Sequence, residues 1–130
     1  MGYRSDVYLK TTKEGYKKIR EMVRKDEDAF HLFTHPDRMT ITQNSDGEYI
    51  SMEWQYLKWY SEYDEVKAID NAIDELSDTV PIHFIRLGED IEDIEERFYY
   101  PNDYKGYFEG LDIVRTVYID GKDISDKEVL

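Results

Sequence analysis

Along this chain, apolar and polar residues alternate in some stretches and recur at helical spacing in others. From Ser5 to Lys10, Val7 and Leu9 fall on one side and Asp6, Tyr8 and Lys10 on the other, the period of a half-buried strand. Thr11 stands three residues before Glu14, a capping-box spacing. Tyr16, Ile19 and Val23 then follow at helical intervals among lysines and arginines, which predicts a helix over Lys13–Lys25 that frays into 26–28. Ala29–Phe33 is a short apolar patch, broken at Pro36. Met39–Gln43 alternates again, and Asn44-Ser45-Asp46-Gly47 is a hairpin signal, because Asp-Gly accepts the positive φ of tight turns. A return strand runs from Glu48 to about Trp59, with Ile50, Met52, Trp54 and Tyr56 toward the core.

A second helix opens near Ser61 and Asp64 and carries the stripe Val66, Ile69, Ile73 and Leu76. Val80–Leu87 is the next strand, with Ile82, Phe84 and Arg86 on one face. Glu89–Glu96 reads as a short acidic helix over the sheet, Phe98–Gly110 as a tyrosine-rich loop and Leu111–Asp120 as a last alternating strand. The order is that of an α+β chain: a ferredoxin-like βαββαβ split sandwich with an additional C-terminal strand, its antiparallel sheet covered by two helices. Residues 1–122 are expected to form one domain and 123–130 a loose acidic tail.

Composition narrows the function. Thirty acidic residues against 17 basic ones give a net charge of −13, which repels phosphate backbones and anionic membranes and disfavours direct nucleic-acid binding. Disorder is not implied, because 12 Tyr, 5 Phe and 2 Trp supply ample material for a core. With no cysteine, disulfides and thiolate metal sites are excluded, which fits a cytoplasmic setting. The opening residues have no apolar signal-peptide segment, and no window reaches the length of a membrane span.

Catalytic motifs are missing. His31, His35 and His83 lack the spacing of a helical zinc pair, and no GxSxG, P-loop or GxGxxG occurs. His83 alternates within a strand and reads as a structural histidine. Carboxylates are so many that proximity of two of them has little meaning. The expectation is therefore a non-enzymatic protein without cofactor or metal, with a carboxylate-based, metal-dependent hydrolase as a minor alternative.

Two features suggest binding. Trp59, at the end of an aromatic run, and the rings of the Phe98–Phe108 segment, among them Tyr99 and Tyr107, could stack on a base, with Arg86 and Arg97 as phosphate clamps; the alternative is that the run is core and rim packing and the segment covers the open sheet face. The other is the acidic set Glu89, Asp90, Glu92, Asp93, Glu95 and Glu96, which could face a basic protein or imitate a stretch of duplex charge.

The opening Met1-Gly2-Tyr3-Arg4-Ser5-Asp6-Val7 resembles the start of small hypothetical proteins of phages and prophages. Leu57-Lys58-Trp59-Tyr60 and Arg86-Leu87-Gly88-Glu89-Asp90 look like further parts of that pattern. The resemblance implies a phage or prophage context, in the cytoplasm of a bacterial host, and carries over no active site. Accessory proteins of that size often counter bacterial defences. The first expectation is thus a counter-defence sponge that sequesters a nucleotide-derived immune signal. The alternative is an acidic inhibitor, of DNA-mimic or anti-CRISPR type, that binds a basic host defence enzyme. Long exposed edge strands would favour a homo-oligomer.

Overall fold

The structure is a computed structural model and describes residues 2–44, 47–102, 104, 108, 111, 118–119 and 122–123. Strand β1 (Ser5–Thr12) leads into helix α1 (Lys13–Val23) and a second helix, α2 (Glu27–Thr34). A hairpin of β2 (Arg38–Asn44) and β3 (Gly47–Leu57) follows, then α3 (Asp64–Leu76), β4 (Ile82–Gly88) and β5 (Ile94–Tyr99). The sheet order is β2-β3-β1-β4-β5, with every neighbouring pair antiparallel. The first four strands have the order of the ferredoxin-like split sandwich, and β5 is the extra strand.

Alternation supplies the sheet's half of the core: Val7 and Leu9 of β1, Ile50, Met52 and Trp54 of β3, Ile82 and Phe84 of β4. Against them pack Ile19 and Val23 of α1, Ala29 and Phe33 of α2, and Val66, Ile69 and Ile73 of α3. The α1 cap differs from the expected one by a residue. Thr12 accepts a hydrogen bond from the Gly15 N–H at 3.0 Å, while buried Thr11 donates to the Pro81 carbonyl at 2.8 Å. The N-cap position of α3 is Tyr63, which makes no side-chain cap bond, so Ser61 does not open that helix. In the β2–β3 turn Gly47 has φ 136°, a conformation that glycine adopts without a Cβ penalty.

Three segments depart from expectation. The patch 29–33 belongs to α2, begun by Asp26, whose carboxylate accepts from the Ala29 N–H at 3.0 Å, and held by buried Ala29 and Phe33. Glu89–Glu96 is a turn followed by β5 instead of a helix. Ile91 and Ile94 are helically spaced but half exposed, whereas Glu95, Arg97 and Tyr99 alternate onto the helix side, where Glu95 meets Arg86 of β4 and Arg97 and Tyr99 meet α3. Tyr56 leaves the core face: it is 68% exposed with φ 52°, at an irregularity where β1 and β3 shift register. Of the expected strand 111–120, residues 112–117 and 120 lie outside the described residues. Tyr118–Ile119 (β6) pairs instead with Lys122–Asp123 (β7) in a separate two-stranded ladder. The rest of the expected tail, 124–130, is also outside them. No helix among the described residues is long and apolar enough to cross a membrane.

The sheet face away from the helices is covered in part by the segment after β5. Phe108 is buried there, 5.7 Å from the Tyr49 ring and 5.9 Å from Phe98. His83, 2% exposed, ties this layer together. Its Nε2 lies 2.6 Å from a Glu96 carboxylate oxygen, and its Nδ1 accepts from the Leu111 N–H at 2.8 Å. That pairing leaves the ring proton of the neutral form on Nε2. His83 is thus the structural histidine that its place in the strand suggests.

Candidate functional site

The residues singled out in the sequence separate onto the two faces of the sheet. Alternation along β4 and β5 sends Arg86, Glu95, Arg97 and Tyr99 toward the helices. Tyr104 and Phe108 lie on the opposite face, where Tyr49 meets both. Among the described residues, Tyr104 and Phe108 therefore share no hollow with Arg86 and Arg97. Tyr99 is on the arginine side, its hydroxyl donating to Asp74 at 3.2 Å. Tyr107 lies outside the described residues.

On the helix side, a cleft of about 340 Å³ opens between the N-terminal strand, the β3–α3 connection and β5, lined in part by Tyr3, Trp59, Glu62, Asp70, Arg86 and Asp93. Trp59 is 7% exposed and packs its ring 5.9 Å from Phe84, so little of its surface is open to the cleft.

Both guanidinium groups are already occupied. Asp93 takes Arg86 in a bidentate grip at 2.8 and 3.1 Å, Glu95 accepts from Nε at 3.0 Å, and Ser5 Oγ accepts from Nη1 at 3.1 Å. The Asp93 hydrogen bond outweighs the opposing effect of burial, so the Arg86 pKa is raised further above its ordinary value. Arg97 reaches Asp70 at 2.6 Å and Asp74 at 3.2 Å, and lies 4.4 Å over the Phe84 ring. Burial works against the charge of Arg97, yet Asp70 and its neighbours raise the pKa on balance. Asp70 is pushed up by burial in spite of Arg97, so its ionised form is only partly compensated.

The three segments that carry the resemblance meet at this cleft. The Tyr3 N–H donates to the Tyr60 hydroxyl at 2.8 Å, and the Tyr3 hydroxyl donates to Asp93 at 2.6 Å while accepting from the Asp90 N–H at 3.1 Å. Its bond to Asp93 raises the Tyr3 pKa. The Arg4 N–H donates to Glu89 at 2.7 Å. Gly88 lets the ring hydroxyl and the carboxylate come this close, because a Cβ there would overlap Asp93 and the Tyr3 oxygen. Tyr3, Ser5, Tyr60 and Asp70 were not among the expected site residues. Their signal was the quoted segments, together with helix position for Asp70.

The expected acidic surface is divided as well. Asp93 and Glu95 serve the Arg86 pairs, Glu96 serves His83 and Glu89 serves the Arg4 backbone. Glu92 is exposed on the turn, Glu62 is an exposed residue of the cleft lining on the β3–α3 connection, and Glu75 is exposed on α3. Among the described residues no group of three or more histidines or carboxylates is placed to hold a metal ion. Comparison of the chain with protein-family models, with curated proteins and with solved structures gives no match.

Proposed function

We propose that this chain is a non-enzymatic binding protein whose α3–β5 side, with its carboxylate-rich cleft, receives a basic surface of a partner protein. In the phage setting implied by the resemblance, that partner is a host defence enzyme and the chain its inhibitor. One observation carries this reading: among the described residues, the cleft is lined by Glu62, Asp70, Asp93 and Glu95 against one guanidinium group, Arg86, which Asp93 and Glu95 already hold, while Arg97 holds Asp70 and Asp74. A lysine or arginine entering it would meet Glu62 and Asp70 with the Tyr3 ring beside them, a setting for charge-assisted hydrogen bonds and cation–π contact.

The test is calorimetry against a panel of basic, nucleic-acid-binding defence nucleases at low and high salt. Binding is expected for at least one of them, weakening as salt rises. The triple variant Glu62→Lys, Glu75→Lys, Glu92→Lys alters exposed carboxylates outside the internal ion pairs, so it should bind at least tenfold more weakly with an unchanged melting curve. Binding that ignores these reversals would defeat the reading.

The sponge for a nucleotide-derived signal remains the second reading, supported by the hollow beside Arg86 and Trp59. A phosphate would have to displace Asp93 from Arg86 or Asp70 from Arg97. Heat on titrating cyclic or ADP-ribose-type nucleotides at micromolar protein would favour the sponge over the partner reading.

A further inference from the structure

The two edges of the sheet differ in a way that points to self-association. Among the described residues, no strand pairs with the outer side of β2 or of β5. Edge strands are normally protected by charge, proline or bulges, because their free N–H and C=O groups invite another strand. On β5, Glu95, Glu96 and Arg97 supply that protection. The β2 sequence, RMTITQN, has one charged residue, no proline and three consecutive strong strand formers, Thr40, Ile41 and Thr42. Met39 and Ile41 share the helix-side face, yet they are 40% and 62% exposed because the helix layer does not reach them.

We infer that two copies of this chain join through β2, antiparallel about a twofold axis at Ile41, to make one ten-stranded sheet. An isologous contact must match itself, and this edge does. With Ile41 opposite its own copy, Thr40 meets Thr42, Met39 meets Gln43 and Arg38 meets position 44, an asparagine, so no like charges face each other. The same pairing of β5 about Glu96 or Arg97 would set like charges directly against each other.

Long-range charge selects the same edge. Helix α1 contacts β1 and β3, on the β2 side of the sheet, whereas α3 is tied to β5 through Asp70 and Arg97. Residues 13–25 include Lys13, Lys17, Lys18, Arg20, Arg24 and Lys25 against only Glu14 and Glu21, so α1 is a basic stretch in a chain of net charge −13, although α2 beside it opens with Asp26, Glu27 and Asp28. A seven-residue ladder is a short contact, so the dimer depends on concentration. Salt should strengthen it by screening the net repulsion between copies, opposite to its effect on a basic partner.

Sedimentation equilibrium of the full chain over a concentration series tests this. The expected result is a mass that rises to two chains, rises further with salt, and stays at one chain in Ile41→Lys with unchanged circular dichroism, while Ile94→Lys on β5 still dimerises. A wild-type chain that remains monomeric throughout overturns the inference and leaves β2 to a strand of some other protein. Association that both variants abolish, or that salt weakens, overturns it in favour of head-to-tail contact between β2 and β5. Should Ile41→Lys fail to fold, cross-linking decides, since the chain has no native cysteine. Ile41→Cys should oxidise to a disulfide-linked dimer and Ile94→Cys should not. The reverse pattern, or no link in either, contradicts the pairing.

Discussion

Gly15 sits in the first turn of α1, where helix propensity alone would favour alanine by about 1 kcal/mol. Its surroundings reverse that sign. A Cβ would run into the Thr11 hydroxyl, which is bonded to the Pro81 carbonyl, and would press on Val80. Gly15→Ala is therefore expected to lose roughly 1–3 kcal/mol in a denaturant melt, the ordinary cost of overpacking. Tyr56 poses the opposite problem, a bulky residue at φ 52°, held by its N–H bond to Asp6 at 2.8 Å and by Arg4 over its ring. A β-branched residue tolerates that conformation least, so Tyr56→Val should cost about 1–2 kcal/mol and Tyr56→Asn much less. His83→Phe keeps a ring beside Phe98 but removes both hydrogen bonds, leaving the Leu111 N–H without its acceptor. A loss of about 1–3 kcal/mol is expected. Tyr3 and Tyr99 both have pKa values raised above 10.0, the first chiefly by its bond to Asp93 and the second chiefly by burial. The folded chain then holds these protons more tightly than the unfolded chain. Their contribution is complete below pH 10.0 and is lost as pH rises through the folded values, so Tyr3→Phe should flatten the alkaline limb of a stability profile.

At the scale of elements, β5 owes its place in the sheet to ion pairs. Arg97 has only 18% of its side chain exposed and joins β5 to α3 through Asp70 and Asp74. Arg97→Met keeps much of the volume but strands Asp70 beside two other carboxylates, and a loss of about 3 kcal/mol is expected at neutral pH. The pKa of Asp70 is already raised by burial and would rise further without Arg97, so the deficit should shrink in acid, where the carboxyl is protonated. Chemical denaturation at acid and neutral pH checks both. This linkage also shows why some elements were legible in the sequence and others were not. β1, β3, β4, α1 and α3 have apolar residues at the period of their own structure, and each was placed within a few residues. β5 turns Glu95 and Arg97 toward the helices, tolerable only because Arg86, Asp70 and Asp74 await them, and no local pattern reveals such partners. α2 is two turns long and was hidden for lack of a long stripe, although its Asp26 cap was visible. At the site, residue type sufficed to mark Arg86, Arg97 and Trp59. It could not reveal that the arginines are satisfied by carboxylates 2 to 27 positions away, nor that Tyr3 closes the cleft from 90 positions before Asp93.

Charge is unevenly spread over the molecule, with basic residues concentrated in α1 and Asp70, Asp74, Asp93 and Glu95 gathered around α3 and β5. Such a body orients a basic partner before contact, so association should speed up steeply at low ionic strength. The same asymmetry puts the proposed β2 contact at the sheet edge opposite β5. What most directly tests the central claim, that the cleft receives cations because carboxylates outnumber guanidinium groups in its lining, is a pair of heteronuclear NMR titrations of the labelled protein. One uses a short arginine-rich peptide and the other ADP-ribose. The account expects the peptide to shift the Trp59 indole, the Arg86 side chain and the amides of Tyr3 and Tyr60 in a salt-sensitive manner, and ADP-ribose to leave them in place. Shifts at those positions with ADP-ribose, and none with the peptide, would contradict it.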